Sequence, residues 1–312
     1  MADRTVIFVC SCSYSGSTLL NLMLASNKSS FATGEISFAF HPRKAHHLSI
    51  RCGCGDSDCD IWPSLIKGKP ENIHSLIMDK YGKRLVVDSS KEPWWVEKRS
   101  SELEKSGVRV IKLIVWKTPL EIIDSFSKRG KRKQWSKHWV NYHRNIFSSG
   151  NDWHSVPYNK LAKNPSLISD LLDYENLPSR KDQHEYWNHE NHPVFGNDTA
   201  ILHLHDEKSQ TAKEVRQRLV EKKGEEEIRT HREISYSHDL DSSHREHDGP
   251  KIVDKIVEAL EDRIHPSIGE PSYKLDPQEL SFSRIQRIYR SIFRRVEMYR
   301  FRLLQAILTL SR

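Results

Sequence analysis

Apolar residues follow two rhythms along the first two thirds of the chain. Residues 5–11, Thr-Val-Ile-Phe-Val-Cys-Ser, form a nearly unbroken apolar run. Such a run reads as a parallel strand buried on both faces. Similar runs at 84–88, 108–116 and about 153–158 predict further strands. Between them, apolar positions recur every three or four residues. Leu19, Leu20, Leu22, Met23 and Leu24 predict a buried helix directly after the first strand. Residues 93–106 place Pro93 in the first turn and stop at Gly107, as helix ends prefer. Residues 119–128 begin with Pro119 and carry Leu120, Ile122, Ile123 and Phe126, and residues 164–174 carry Leu167, Ile168, Leu171 and Leu172. Strands alternating with helices predict an α/β fold with a central parallel sheet and right-handed crossovers. Ligands of such sheets sit beyond the C-terminal strand ends.

The pattern changes past residue 205. Residues 206–250 are dense in charge and His and poor in large apolar side chains, which predicts a solvated helix or linker. Residues 251–264 have the pattern of one amphipathic helix. Residues 282–310 place Ile285, Ile288, Tyr289, Ile292, Val296, Tyr299, Leu303, Ile307 and Leu310 at spacings of three and four, opposite an Arg-rich face. The expected plan is an α/β core over 1–205, a linker over 206–250 and a helical C-terminal extension over 251–312.

Charge refines this plan. The chain has 49 Lys and Arg against 42 Asp and Glu, a formal net charge of +7. Segment 281–312 alone holds eight Arg and one Glu. The excess is therefore local, which argues against a general nucleic-acid binder. Helix 282–310 is expected to dock on its own domain, to join a second copy of the chain, or to lie on anionic lipid. No run of about 18 apolar residues predicts a membrane span. The chain opens on a strand and not on a leader-like segment, and Cys10, Cys12, Cys52, Cys54 and Cys59 suit a reducing compartment. A cytoplasmic location is expected, with peripheral membrane contact as the variant.

Candidate chemistry begins at Ser13-Tyr-Ser-Gly-Ser-Thr-Leu-Leu20, between the first strand and its helix. A small-residue turn leading into a helix N-terminus gathers free N–H groups and the positive end of the helix dipole, and so suits a phosphorylated ligand. A serine-rich turn of this kind also serves simply as an N-cap. It is not a Walker A loop, because Gly16 is followed by Ser17 and Thr18 and no Lys is present. A second grouping is Lys117-Thr-Pro119 at the end of the 108–116 run, with Ser125 and Arg129 one turn apart on one helix face. A cation, a hydroxyl and a guanidinium together grip a phosphate.

These motifs together resemble the sulfotransferases that use 3′-phosphoadenosine 5′-phosphosulfate (PAPS), closest to bacterial, carbohydrate and protein-tyrosine members. The resemblance covers roughly residues 5–200. It implies a P-loop-NTPase-like central parallel sheet flanked by helices. It assigns Tyr14, Ser15, Gly16, Ser17, Thr18 and Leu19 to the 5′-phosphosulfate and Lys117, Ser125 and Arg129 to the 3′-phosphate. Lys117 stands where the family usually has Arg, and Thr118 where it often has Asp. Gly34-Glu35 matches the Gly-Glu whose carboxylate takes the proton of an acceptor hydroxyl. Lys91, in Asp88-Ser-Ser-Lys91, matches a catalytic Lys that steadies the leaving group. Tyr14 takes the place of a loop Arg, so one cation is missing or comes from elsewhere. Tyr158 and Asn197, in segments resembling the family's later motifs, are further cofactor contacts. The implied activity is in-line sulfuryl transfer from PAPS to a hydroxyl acceptor (a carbohydrate, lipid headgroup or small molecule), with no metal required.

Cys52-Gly-Cys54-Gly-x-x-x-Cys59-x-x-Trp62, with His46 and His47 upstream, is compatible with a zinc site, a disulfide or free thiols. Similar stretches in bacterial sulfotransferase relatives flank the acceptor cleft. Trp62, Trp135, Trp139 and Tyr142 offer either aromatic platforms for an acceptor or simple packing. The rival enzyme class is a P-loop kinase or nucleotide-binding protein, with Asp88 as its Mg²⁺ ligand.

Overall fold

The computed structural model describes residues 4–56, 58–150, 152–202, 204–205 and 249–271, with a few positions in 213–217 and 275–282. Most of 206–250 and, beyond Phe282, the whole 282–310 helix lie outside the described residues.

Five strands form one all-parallel sheet: β1 (Thr5–Cys10), β2 (Ser30–Gly34), β3 (Leu85–Asp88), β4 (Arg109–Trp116) and β5 (His154–Pro157), in the order β2-β3-β1-β4-β5. The apolar runs are buried on both faces because helices cover both. Val6, Phe8 and Cys10 of β1 join one core, with Val86 of β3 and Ile114 and Trp116 of β4. Ile7 and Val9 join the other, with Leu85, Val87, Ile111, Leu113 and Val115. The period-two alternation thus divides each strand between two layers.

The first layer is covered by α2 (Ile73–Tyr81), α3 (Pro93–Lys105), α4 (Pro119–Ser127), α5 (Trp135–Phe147) and α8 (Ile252–Glu261). The second is covered by α1 (Ser17–Leu24), α6 (Tyr158–Lys163) and α7 (Leu167–Tyr174). The chain returns to the sheet after residue 249: α8 packs on α5 and β5, and Ser155 of β5 exchanges backbone hydrogen bonds with Arg263 and His265.

Strand β2 was not marked by the apolar pattern. Its sequence, Ser-Phe-Ala-Thr-Gly, has one large apolar residue, yet all five positions are buried. It lies at the sheet edge, where Val194 covers it through bonds with the backbone of Thr33 and Glu35.

His143 of α5 is fully buried, its Nδ1–H donating to the Trp139 carbonyl at 2.8 Å. Burial pushes its pKa from 6.5 down to about 4. A base held neutral in the fold weakens it once the unfolded chain can protonate, so stability is lost as pH falls below 6.5 toward 4. We expect urea unfolding to show the stability gap between wild type and His143→Leu shrinking across that window, by on the order of 3 kcal/mol. A constant gap would contradict the assignment.

Candidate active site

The first loop follows β1. Tyr14 and Gly16 hold left-handed backbone, at φ 72° and 94°. Gly16 caps α1 without a side chain, and the first intrahelical bond runs from Leu20 N–H to the Gly16 carbonyl. The N–H groups of Ser17, Thr18 and Leu19 therefore have no acceptor within the helix. The Ser15 hydroxyl is buried without a partner. A Cβ on Gly16 would sit 2.4 Å from Cδ2 of Tyr158, so the glycine is what lets that ring lie against the loop. Asn197 arrives on the other side, its N–H donating to Thr18 Oγ1 at 3.0 Å.

The second group follows β4. Thr118 forms a capping box with Glu121, and Pro119 opens the helix. The box keeps the helix start fixed directly behind Lys117. Lys117 Nζ lies 3.5 Å from Ser125 Oγ and 4.5 Å from the centre of the Tyr158 ring. Arg129 donates to the Ser125 carbonyl, and its guanidinium lies 4.1 Å above the Tyr14 ring. Tyr14 in turn meets Phe126 edge-on. The loop position that carries Arg in the resembling family thus holds a ring on which Arg129, from the turn after α4, rests.

Tyr14 and Tyr158 bind the two groups into one surface. Tyr158 touches the first loop and carries Lys117; Tyr14 belongs to that loop and carries Arg129. Neighbouring Lys128 pairs with Asp124 at 3.0 Å, whereas among the described residues Lys117 and Arg129 have no carboxylate within ion-pair distance. Burial pushes the Lys117 pKa below its ordinary value, Glu121 offsets part of this, and the Arg129 charge adds to it.

The third group joins the ends of β2 and β3. Gly34 has φ 68°, and a Cβ there would lie 2.3 Å from the Val194 carbonyl oxygen. That contact delivers Glu35, whose N–H donates to the same carbonyl at 2.9 Å. Ser89 N–H donates to the Gly34 carbonyl, and Ser37 N–H to Ser90 Oγ, so the two loops are stitched together. Lys91 adopts φ 62°, and its Nζ lies 2.5 Å from Glu35 Oε1 with both side chains partly exposed. Non-glycine residues held at positive φ concentrate at functional sites. Tyr14, Lys91 and Phe195 are three of the four such residues described, and all three belong to these loops.

Asp88 positions this group. Its carboxylate accepts from His74 Nε2 at 2.8 Å, Trp95 Nε1 at 2.8 Å, and both the N–H and the hydroxyl of Ser90. It is buried and fully engaged, which does not suit the Mg²⁺-ligand role considered for a kinase. His74 had no motif to mark it, and Val194 lay within the segment around Asn197 without a role of its own; both roles arise from contacts with other segments.

Trp62, Trp135 and Trp139 are buried in the core, where they pack and do not form an open platform. The partly exposed aromatic side chains beside Glu35 and Lys91 in sequence include Phe38, Phe40, His41 and Trp94, with His41 and Trp94 edge-on at 5.0 Å.

No family model matches the chain, and no curated protein does. Among solved structures, the chain is similar to the sulfotransferase domain from the curacin biosynthetic pathway. The TM-score is 0.46 and the identity 20%, over 61% of this chain and 80% of that one. It is also similar to the sulfotransferase domain from the Synechococcus PCC 7002 olefin synthase, with TM-score 0.44 and identity 17%, over 60% of this chain and 78% of that one.

Gly34→Ala should cost at least about 1–2 kcal/mol from left-handed backbone alone, and should push Val194 away from the sheet edge. Amide hydrogen exchange would then show faster exchange at Glu35 and Val194, with the core of β1 unchanged. Unaltered exchange at those two amides would refute the role given to Gly34.

Proposed function

We propose that this chain is a sulfotransferase that takes its sulfuryl group from PAPS and passes it to a hydroxyl-bearing acceptor. The observation that carries this reading is the pair of cations Lys117 and Arg129, without an ion-paired carboxylate among the described residues, resting on tyrosine rings that also form or touch an N–H-rich helix start. Positive charge held without an ion pair suits a polyanion. Two cradles at the adjacent ends of β1 and β4 suit one ligand with phosphates at both ends. The unsatisfied Ser15 hydroxyl and the open N–H groups of α1 fit its 5′ end.

When bound, PAPS supplies a sulfuryl group on a good leaving group, the 5′-phosphate. Each protein group then has a defined task. The N–H groups of Ser17, Thr18 and Leu19 hold the 5′ end. Lys117, Ser125 and Arg129 hold the 3′-phosphate. Glu35 accepts the proton of the acceptor hydroxyl as its oxygen bonds to sulfur. Lys91, now beside Glu35, steadies the negative charge left on the phosphate oxygen when the old S–O bond breaks. Its ion pair with Glu35 keeps both groups poised before substrates arrive. The protein's own cations carry the charge, so the reading assigns no metal to the transfer. Phe38, His41 and Trp94, neighbours of Glu35 and Lys91 in sequence, are candidates for acceptor contacts; carbohydrate, lipid headgroup and small-molecule acceptors all remain within this chemistry. The kinase alternative has neither a loop Lys nor a free carboxylate at Asp88.

Adenosine 3′,5′-bisphosphate should raise the melting temperature without Mg²⁺. Lys117→Ala and Arg129→Ala should each weaken its binding about 10- to 100-fold. Glu35→Ala should lower kcat by about 10²–10⁴ while leaving nucleotide affinity nearly unchanged. Stabilisation by Mg-ATP alone would reverse the assignment.

Because Lys117 binds phosphate as a cation and its pKa is depressed in the free protein, affinity for the bisphosphate should fall as alkaline pH is approached, beginning below 10.5. Lys117→Arg should flatten that limb in calorimetric titrations. An identical limb in the variant would remove Lys117 from the phosphate site.

A further inference from the structure

The cysteine-rich loop gains a fourth donor from far along the chain. Cys52, Cys54, Cys59 and His192 offer three sulfurs and one ring nitrogen, all within 4.8 Å of one another. Cys52 Sγ lies 3.4 Å and Cys59 Sγ 3.7 Å from His192 Nδ1. A tetrahedral ion with Zn–S of about 2.3 Å and Zn–N of about 2.0 Å spaces its sulfur and nitrogen ligands about 3.5 Å apart. His46 and His47, the upstream histidines, lie elsewhere: His47 stacks on Phe38 and accepts from the Arg43 N–H.

The histidine is held as a ligand would be. Its Nε2–H donates to Glu190 Oε1 at 3.0 Å, which fixes the tautomer and leaves the Nδ1 lone pair facing the sulfurs. Trp62 Nε1 donates to the His192 carbonyl at 2.8 Å, and the imidazole stacks on Phe31 of β2. Gly53 lets the two segments meet: its N–H donates to the Pro193 carbonyl at 2.7 Å, and a Cβ there would strike the Pro193 ring at 2.6 Å. A disulfide would use two of these donors and strand an oriented imidazole and a thiol beside it.

We propose that Cys52, Cys54, Cys59 and His192 bind one Zn²⁺ in a closed tetrahedral site. Three thiolates and one imidazole are a soft set suited to zinc, and four protein ligands leave no position for a substrate, so the site is structural. Its task is to clamp loop 52–59 to segment 190–197. That segment carries Val194, which delivers Glu35, and Asn197, which meets Thr18.

The full-length chain, reduced and folded by circular dichroism, should take up one equivalent of Zn²⁺ in competition with a chromophoric chelator. Co²⁺ in its place should give the thiolate charge-transfer band and intense visible bands of a tetrahedral site. Cys59→Ser and His192→Ala should each weaken zinc at least tenfold, whereas His192→Cys should retain it. Stripping zinc should lower the melting temperature and adding it back should restore it. Failure of the folded, reduced wild-type chain to take up stoichiometric zinc overturns the proposal. So does a thiol count, on protein denatured without reductant, showing two of these cysteines oxidised to a disulfide in the chain as purified. Metal is counted without nucleotide, so this result stands apart from the sulfuryl-transfer reading.

Discussion

A cation resting on an aromatic face stays almost fully charged, while a cation in a salt bridge is largely neutralised. The candidate active site is built on that difference. Lys117 and Arg129 are held in place by Tyr158 and Tyr14, and their charge remains available for a ligand. The arrangement costs the empty protein something, since two like charges share a half-buried surface and the Lys117 pKa is depressed. Carboxylate partners would relieve that cost and weaken the field that the proposed phosphate site relies on.

The remaining features follow from keeping this surface fixed. The capping box at Thr118 sets the start of α4, and in the turn after that helix Arg129 is held to Ser125 by donating to its carbonyl. Gly16 lets Tyr158 close on the loop. On the other side, Asp88 gathers His74, Trp95 and Ser90 into a buried knot, from which Lys91 emerges in a left-handed conformation toward Glu35. Glu35 is reached through Gly34 and Val194. The geometry of the candidate site is therefore distributed over five strand ends and one returning segment.

Much of this could be read from the order of residues. The apolar runs marked β1, β3, β4 and β5 to within a residue or two, because strands buried on both faces leave a continuous apolar record. Lys117, Ser125 and Arg129 stood out because they lie within thirteen residues of one another, from a strand end through one helix to the turn after it, where spacing translates into proximity. β2 was missed because Ser, Ala, Thr and Gly carry little hydrophobic signal and an edge strand owes its burial to a covering segment. The rest Tyr14 provides for Arg129, and the approach of His192 to the cysteines, were also invisible. They join residues more than a hundred positions apart, and no local pattern encodes such a meeting. For Trp62, Trp135 and Trp139 the sequence left platform and packing open, and burial in the core decides for packing.

The bond between Asn197 and Thr18 spans 179 positions of chain. Its consequence concerns synthesis. A polypeptide emerging from the ribosome displays its first loop long before the segment that braces it exists, and β5 must likewise wait for residues 263–265 before its outer edge is paired. Nascent or truncated chains would hold the loop without its brace, so the nucleotide capture proposed for it becomes a property of the completed molecule, acquired late in translation.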